Sequence, residues 1–271
     1  LIESDVYNRH RRTVGDLVRD AKRDGWPATR ADRAMWGRMR MSPTDLADVG
    51  SATYTYLVNG QAPDANWTAL FARGERVRLR FVNASAMTYF DVRIPGLKMT
   101  VVAADGQRVH PVTVDEFRIA VAETLDVVVE PQDQPYTIFA QAMDRGGYAR
   151  ATLSPHYGLA APVPALDPRP LLTMADMGMD HGTDHGMSKM DHPMPGMAHG
   201  ETASKPSAES PWIDMRASTP SKAQDDPGVG LRGNGRRVLT LADLRSDFAD
   251  PDGRDPGRTL ELHLTGNMER Y

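Results

Sequence analysis

Residues 174–199 read MADMGMDHGTDHGMSKMDHPMPGMAH and concentrate nearly half of the chain's Met and His side chains. Met174, Met177, Met179, Met187, Met190, Met194 and Met197 bring seven of the 15 Met into this stretch, and His181, His185, His192 and His199 bring four of the eight His. Met-Asp-His recurs at 179–181 and 190–192, and Asp-His-Gly at 180–182 and 184–186. A core-filling role for these methionines is disfavoured, because no Leu, Ile, Val or Phe accompanies them. Gly178, Gly182, Gly186, Pro193, Pro195 and Gly196 also oppose a regular helix or strand. Thioether sulfur is a soft ligand suited to Cu(I), and imidazole accepts Cu(II) as well. Met has no proton to lose, so it stays available in acid, whereas His withdraws as it protonates. Asp176, Asp180, Asp184 and Asp191 add charge that attracts a cation. Histidines alone point to zinc or nickel; the seven Met shift the choice to copper, as Cu(I) and in part as Cu(II).

Other chemistry is scarce. With no Cys, the chain excludes disulfides, thiolate zinc sites and any copper centre built on a Cys sulfur. No His-X-His occurs, and His10, His110, His156 and His263 stand alone. Gly228-X-Gly230-X-X-Gly233 matches a dinucleotide fingerprint by letter, but Asp225-Asp226-Pro227 stands where a strand should precede it. No Ser/His/Asp set or carboxylate pair stands out by spacing.

The elements around the run change character along the chain. Residues 4–23 carry Val6, His10, Val14, Leu17, Val18 and Ala21 at helical spacing, with Ser4 as cap and Gly25 and Pro27 as stop signals. Thr29 caps a second short helix to Arg40, with Met35, Trp36 and Met39 on its apolar side. From about residue 52 the period becomes two. Tyr54, Tyr56 and Val58 precede the turn Asn59-Gly60, and Val77, Leu79 and Phe81 alternate with Arg76, Arg78 and Arg80. Further strands are expected at 88–94, 98–103, 116–121, 125–130, 135–142 and 148–153, which makes seven or eight short strands of an antiparallel sandwich or barrel. Pro155, Pro162, Pro164, Pro168 and Pro170 indicate an extended linker. Residues 236–247 are expected to give a strand and a short helix, and 258–264 a strand. The reading divides the chain into a helical excursion (1–46), a sandwich (47–160), a Pro-rich linker carrying the Met/His segment (161–230), and the first elements of a further domain (231–271).

A net charge of −4 gives no basis for general nucleic-acid binding. No stretch approaches the ~18 apolar residues of a membrane span. Arg11-Arg12 is followed by Asp16, Arg19, Asp20 and Lys22 where the apolar core of a signal peptide should be. The start at Leu1 and the end at Tyr271, just after a strand-like alternation, read as a fragment of a longer protein.

Residues 55–107, with LVNG, RLRFVNAS and VVAADG, resemble the second cupredoxin domain of bacterial multicopper oxidases, and ETLDVVVEP (123–131) resembles a later strand of it. RPLLTMADMGMDHG (169–182), RRVLTLADLRSDF and ELHLTGNMERY (within 236–271), RRTVGDLVRDAKRDGW (11–26) and MWGRMRMSPTDLADV (35–49) are similar to the copper-resistance protein A group of periplasmic multicopper oxidases. The resemblance implies a mainly β, cupredoxin-like antiparallel Greek-key sandwich with an N-terminal helical excursion and a disordered Met/His-rich loop. It also implies a three-domain periplasmic parent that oxidises Cu(I) to Cu(II), whose first and third cupredoxin domains lie outside this chain and hold the catalytic copper. Only the Met/His ligands fall within the chain. A periplasmic copper carrier is an expected partner, and a copper-sequestering protein without turnover is the alternative.

Overall fold

The computed structural model describes residues 12–39, 41–46, 54–179, 217, 221–249, 252–255, 257–258 and 260. The chain forms two compact units: one of Leu1–Thr173 with Lys222–Gly253, the other of Met174–Ser221 with Arg254–Tyr271.

The first unit opens with a helical hairpin. Helix α1 (Val14–Asp24) starts at Thr13, whose hydroxyl accepts from the Asp16 amide at 3.3 Å while the Asp16 carboxylate accepts from the Thr13 amide at 2.7 Å. This reciprocal box satisfies two orphan donors at the helix start. Gly25, at φ 84°, both ends α1 and starts α2 (Trp26–Arg38). Pro27 therefore opens the second helix rather than closing the first, in the turn where its missing N–H matters least. Thr29 lies inside α2 instead of capping it, and its hydroxyl donates to the Gly25 carbonyl at 2.9 Å. The expected start at Ser4 lies outside the described residues.

Nine strands build two sheets. Sheet I has the order β1 (Trp67–Leu70), β9 (Tyr148–Ser154), β8 (Tyr136–Ala142), β3 (Phe90–Arg93), β6 (Glu116–Ile119). Sheet II has the order β2 (Val77–Val82), β7 (Thr124–Val129), β4 (Met99–Ala104), β5 (Gln107–Val114). All neighbours are antiparallel except β1 and β9, which run parallel and depart from the fully antiparallel expectation. Val92, Ile94, Phe117, Ile119 and Ile138 from sheet I meet Met99, Val101, Val114, Leu125, Val127 and Val129 from sheet II in the core. The alternation in β4 and β7 gives that core directly, since every second residue is buried.

Two strands were not expected. β1 is a four-residue edge strand, and β5 holds Pro111 where its register with β4 shifts between Val101 and Ala103, an irregularity at which a strand tolerates Pro. Conversely, Tyr54–Val58 is not a strand. Val58 makes one two-bond bridge to Gln61 across the Asn59-Gly60 turn, and Tyr56 packs edge-on against Phe90 at 5.0 Å. Residues 222–249 belong to the same compact unit as the sandwich, where the sequence placed residues from 231 onward in a further domain. The expected strand at 258–264 lies largely outside the described residues.

Candidate metal centre

Of the Met/His run, Met174, Met177 and Met179 are described; His181, His185, Met187, Met190, His192, Met194, Met197 and His199 lie outside the described residues. The described part is a tight turn. The amides of Met177 and Met179 both donate to the Met174 carbonyl, at 3.1 and 2.9 Å, and Gly178 donates to Ala175 at 3.0 Å. Gly178 takes φ 65°, a conformation that favours glycine. The turn sets Met177 and Met179 two residues apart with half-buried side chains, whereas Met174 is only 1% exposed. Met174 thus fills space like a core residue, against the expectation for the run as a whole. An ion would have to draw its sulfur out of that packing.

The chain on either side of the run is fixed by an ionic lattice that the sequence did not reveal. It stands on the face of sheet I opposite the hydrophobic core. In the register, Asp91 on β3 lies between Arg118 on β6 and Gln141 on β8; two residues on, Arg93 lies between Glu116 and Phe139. Side chains two apart on a strand share a face, so all six project the same way. Asp91, Glu116 and Gln141 are fully buried.

Buried charges demand partners, and here each has several. Asp91 accepts from Arg118 Nε at 2.7 Å and from Arg145 Nη1 at 2.6 Å. Glu116 accepts from Arg93 at 3.3 Å, Asn234 at 2.9 Å and Arg236 Nε at 2.7 Å. Arg93 also donates to Asp167 at 3.1 Å and to the Ala165 carbonyl at 3.2 Å, and lies 4.8 Å over the Phe139 ring. Gln141 grips Asp167 twice, donating to its carboxylate at 2.6 Å and accepting from its amide at 3.0 Å. Asp167 and Arg236 pair directly.

The charge states follow from these contacts. Burial pushes the Asp167 carboxyl up, but hydrogen bonds from Gln141 and Arg236 and the charges of Arg93 and Arg236 outweigh it and hold it below the usual range. Burial pulls Arg236 down, and its bonds to Glu116 and Asp167 reverse that, leaving it raised. The Pro-rich stretch expected to be an extended linker has no helix or strand at 159–173 and is tied down along its length. Thr137 donates to the carbonyls of Ala161 and Pro162, Gln141 holds Asp167, and Leu172 donates to Pro43 at 2.8 Å. Two signals in the sequence could have pointed to this lattice: opposite charges alternating in both 91–93 and 116–118, and the glycines at 228 and 230.

Residues 3–157, more than half of the chain, match the multicopper oxidase family model. The chain belongs to the multicopper oxidase family. Its sandwich is cupredoxin-like, the fold that the resemblance to this family implied. The family member "Copper resistance protein A" of Escherichia coli is 57% identical over an aligned span of 310 residues, covering 99% of this chain and 51% of that protein. "Copper resistance protein A homolog" of Pseudomonas syringae pv. tomato is 59% identical over 293 residues, covering 99% of this chain and 50% of that protein. Among solved multicopper oxidases, the laccase from Botrytis aclada is 22% identical and covers 41% of this chain and 23% of its own, with a TM-score of 0.34. The chain spans about half the length of the curated relatives it matches.

Family membership implies copper. The residues of this chain do not fit a resident multicopper centre, which needs a Cys and clustered imidazoles. The chain has no Cys and no His-X-His. His110 and His156 are exposed, and no group of three or more metal-ligating His, Cys, Asp or Glu occurs among the described residues. Among those residues, no helix is long and apolar enough to cross a membrane.

Proposed function

We propose that this chain is the copper-capturing, non-catalytic part of a longer periplasmic multicopper oxidase that confers copper resistance by oxidising Cu(I) to Cu(II) with O2 as acceptor. Its first and third cupredoxin domains lie outside the chain, and a periplasmic carrier is a source of its Cu(I). The observation that carries the proposal is the run itself: seven thioethers and four imidazoles in 26 residues without one Leu, Ile, Val or Phe. Copper enters as substrate. The thioethers of Met177, Met179, Met187, Met190, Met194 and Met197 take the cuprous ion, with Met174 drawn in if its sulfur leaves its buried position. His181, His185, His192 and His199 hold the ion in either oxidation state. Asp180, Asp184 and Asp191 raise the local concentration of cations.

Titrating Cu(I) into the chain against a competing chelator tests the ligand set. Replacing the seven Met by Leu should abolish most Cu(I) binding; unchanged binding would reject the assignment. The missing Cys keeps a second reading open, a copper-sequestering protein without turnover. Assaying Cu(I) oxidation by the complete protein separates the two, since a full-length protein that binds Cu(I) but never oxidises it leaves only the second.

A further inference from the structure

Antiparallel sheets of a sandwich usually keep one face in the core and present the other to water. Sheet I does not: the face carrying Asp91, Arg93, Glu116 and Gln141 is as buried as the core face. One cover is the stretch around Asp167. The other is the segment after the Met/His run, and its fit is specific. Arg118 Nη2 donates to the Val229 carbonyl at 2.8 Å and Arg145 Nη2 to the Gly230 carbonyl at 3.3 Å, while Asp91 fixes both guanidinium groups from below.

The backbone comes so close that an added Cβ would crowd the side chains beneath it. A Cβ on Gly228 would lie 2.9 Å from Arg118 Nη1, and one on Gly230 would lie 3.0 Å from both Arg145 Nη2 and Pro170 Cγ. Both glycines have positive φ, 93° and 78°. The first two glycines of the letters that imitate a dinucleotide fingerprint thus pack on two arginines, while a Cβ on Gly233 would meet nothing within 4 Å. Arg145 itself holds φ 59°, uncommon for a non-glycine residue and a sign that its surroundings over-determine it.

Beyond Gly230 the segment covers one edge of each sheet. β6 ends sheet I and β5 ends sheet II. Val238 bridges Glu116 in parallel, with Leu239 N donating to Glu116 O at 2.9 Å and Asp115 N donating to Arg237 O at 2.8 Å. Ser246 then bridges Val109, and His110 N donates to Arg245 O at 2.8 Å. Unpaired edges invite pairing with a stray strand, and an extended peptide laid along an edge is a familiar recognition mode.

We propose that the outer face of sheet I, with the β5 and β6 edges, is a docking surface for the chain's own segment 222–249, and that the Met/His run is an insertion into one folding unit. The surface recognises a glycine-containing peptide through two carbonyl-directed arginines, the Glu116–Arg236 pair and two edge bridges. None of this depends on the copper reading.

The test uses the full chain with a protease site inserted between Ala203 and Ser204, folded and then cut. The two pieces should elute together in size exclusion at micromolar concentration, as one complex of the mass of a single chain. Gly230→Val should weaken that association tenfold or more. If that variant does not fold, Arg236→Met replaces it with the same expected loss. Separation of the wild-type pieces would overturn the proposal, as would variant pieces that hold as tightly as wild type. Elution of the uncut chain as a dimer that the cut pieces cannot form would assign the surface to a second copy instead. Cu(I) competition on the same cut sample reads the capture proposal separately.

Discussion

The sharpest energetic consequence concerns Glu116→Gln. Glu116 is fully buried and receives hydrogen bonds from Arg93, Asn234 and Arg236. Gln keeps the shape but replaces one accepting oxygen with a donor. Whichever way it turns, an NH2 group then faces a guanidinium. Each charge-assisted bond lost is worth about 1.5–3 kcal/mol, and Arg93 and Arg236 are left to share Asp167 alone. Removing one partner of a buried ion pair costs about 3–5 kcal/mol. At about 2–4 °C per kcal/mol for a domain of this size, the melting temperature should fall by about 6–20 °C. Asp126→Asn is the control. Asp126 bonds Arg78 and Arg80 across sheet II, but those arginine side chains are 50% and 73% exposed. Surface pairs of this kind contribute about 0–1 kcal/mol, so this change should move the melting temperature by no more than about 4 °C. Calorimetric or circular-dichroism melts of both variants decide the matter. A Glu116→Gln shift no larger than that of Asp126→Asn would refute the view that the lattice holds the unit together.

Two further outcomes are expected. Acid should loosen the 222–249 segment first. Asp115, Asp167, Asp226 and Asp243 all lie below their ordinary value of 3.8 in the folded chain. Depressed carboxyls contribute stability that is full above the unfolded pKa and drains as pH falls through the folded one. Amide exchange at 228–239 should therefore be constant from pH 7 to about 5 after correction for intrinsic rates, and should quicken below about 4; exchange insensitive to pH there would contradict the assignment. Copper binding should respond to acid by oxidation state. Lowering pH to about 5, below the ordinary His value of about 6.5, should weaken Cu(II) more than Cu(I) in chelator competition, and equal losses would argue against thioether ligation.

The sandwich was legible where one face alone decides burial. β2, β4 and β7 alternate cleanly, and their positions follow from the residues. β1 and β5 were not, because a four-residue strand and one holding Pro111 carry too little pattern. The helical hairpin was legible in number but not in its joint: Gly25 serves two helices at once, and Pro27 reads equally well as a stop or as a start. The Met/His run stands out by composition alone, yet Met174 is buried, which a list of residue types cannot foresee. The lattice was least legible. Glu116 and Arg236 are 120 residues apart, and strand charges that look solvated by their alternation are covered by a distant segment. The Gly228 and Gly230 pattern did not by itself reveal its structural role, which is close approach to Arg118 and Arg145.

The direct pairing of Asp167 with Arg236 has a bearing on how such proteins diversify. Two residues nearly seventy positions apart are stitched together at the sandwich wall, and the described packing of the interval between them lies at its two ends, through Leu172 on one side and Val229, Gly230 and Asn234 on the other. Mutation is then free to lengthen, shorten or duplicate the intervening text at small thermodynamic cost, since each doubling of a closed loop adds only about 0.6 kcal/mol. The Escherichia coli relative aligns over 310 residues against the 271 of this chain, so the two differ in length within the aligned span. On the copper-capture proposal, a scaffold of this kind would let metal-binding capacity be retuned by editing one exchangeable cassette while the fold stays as it is.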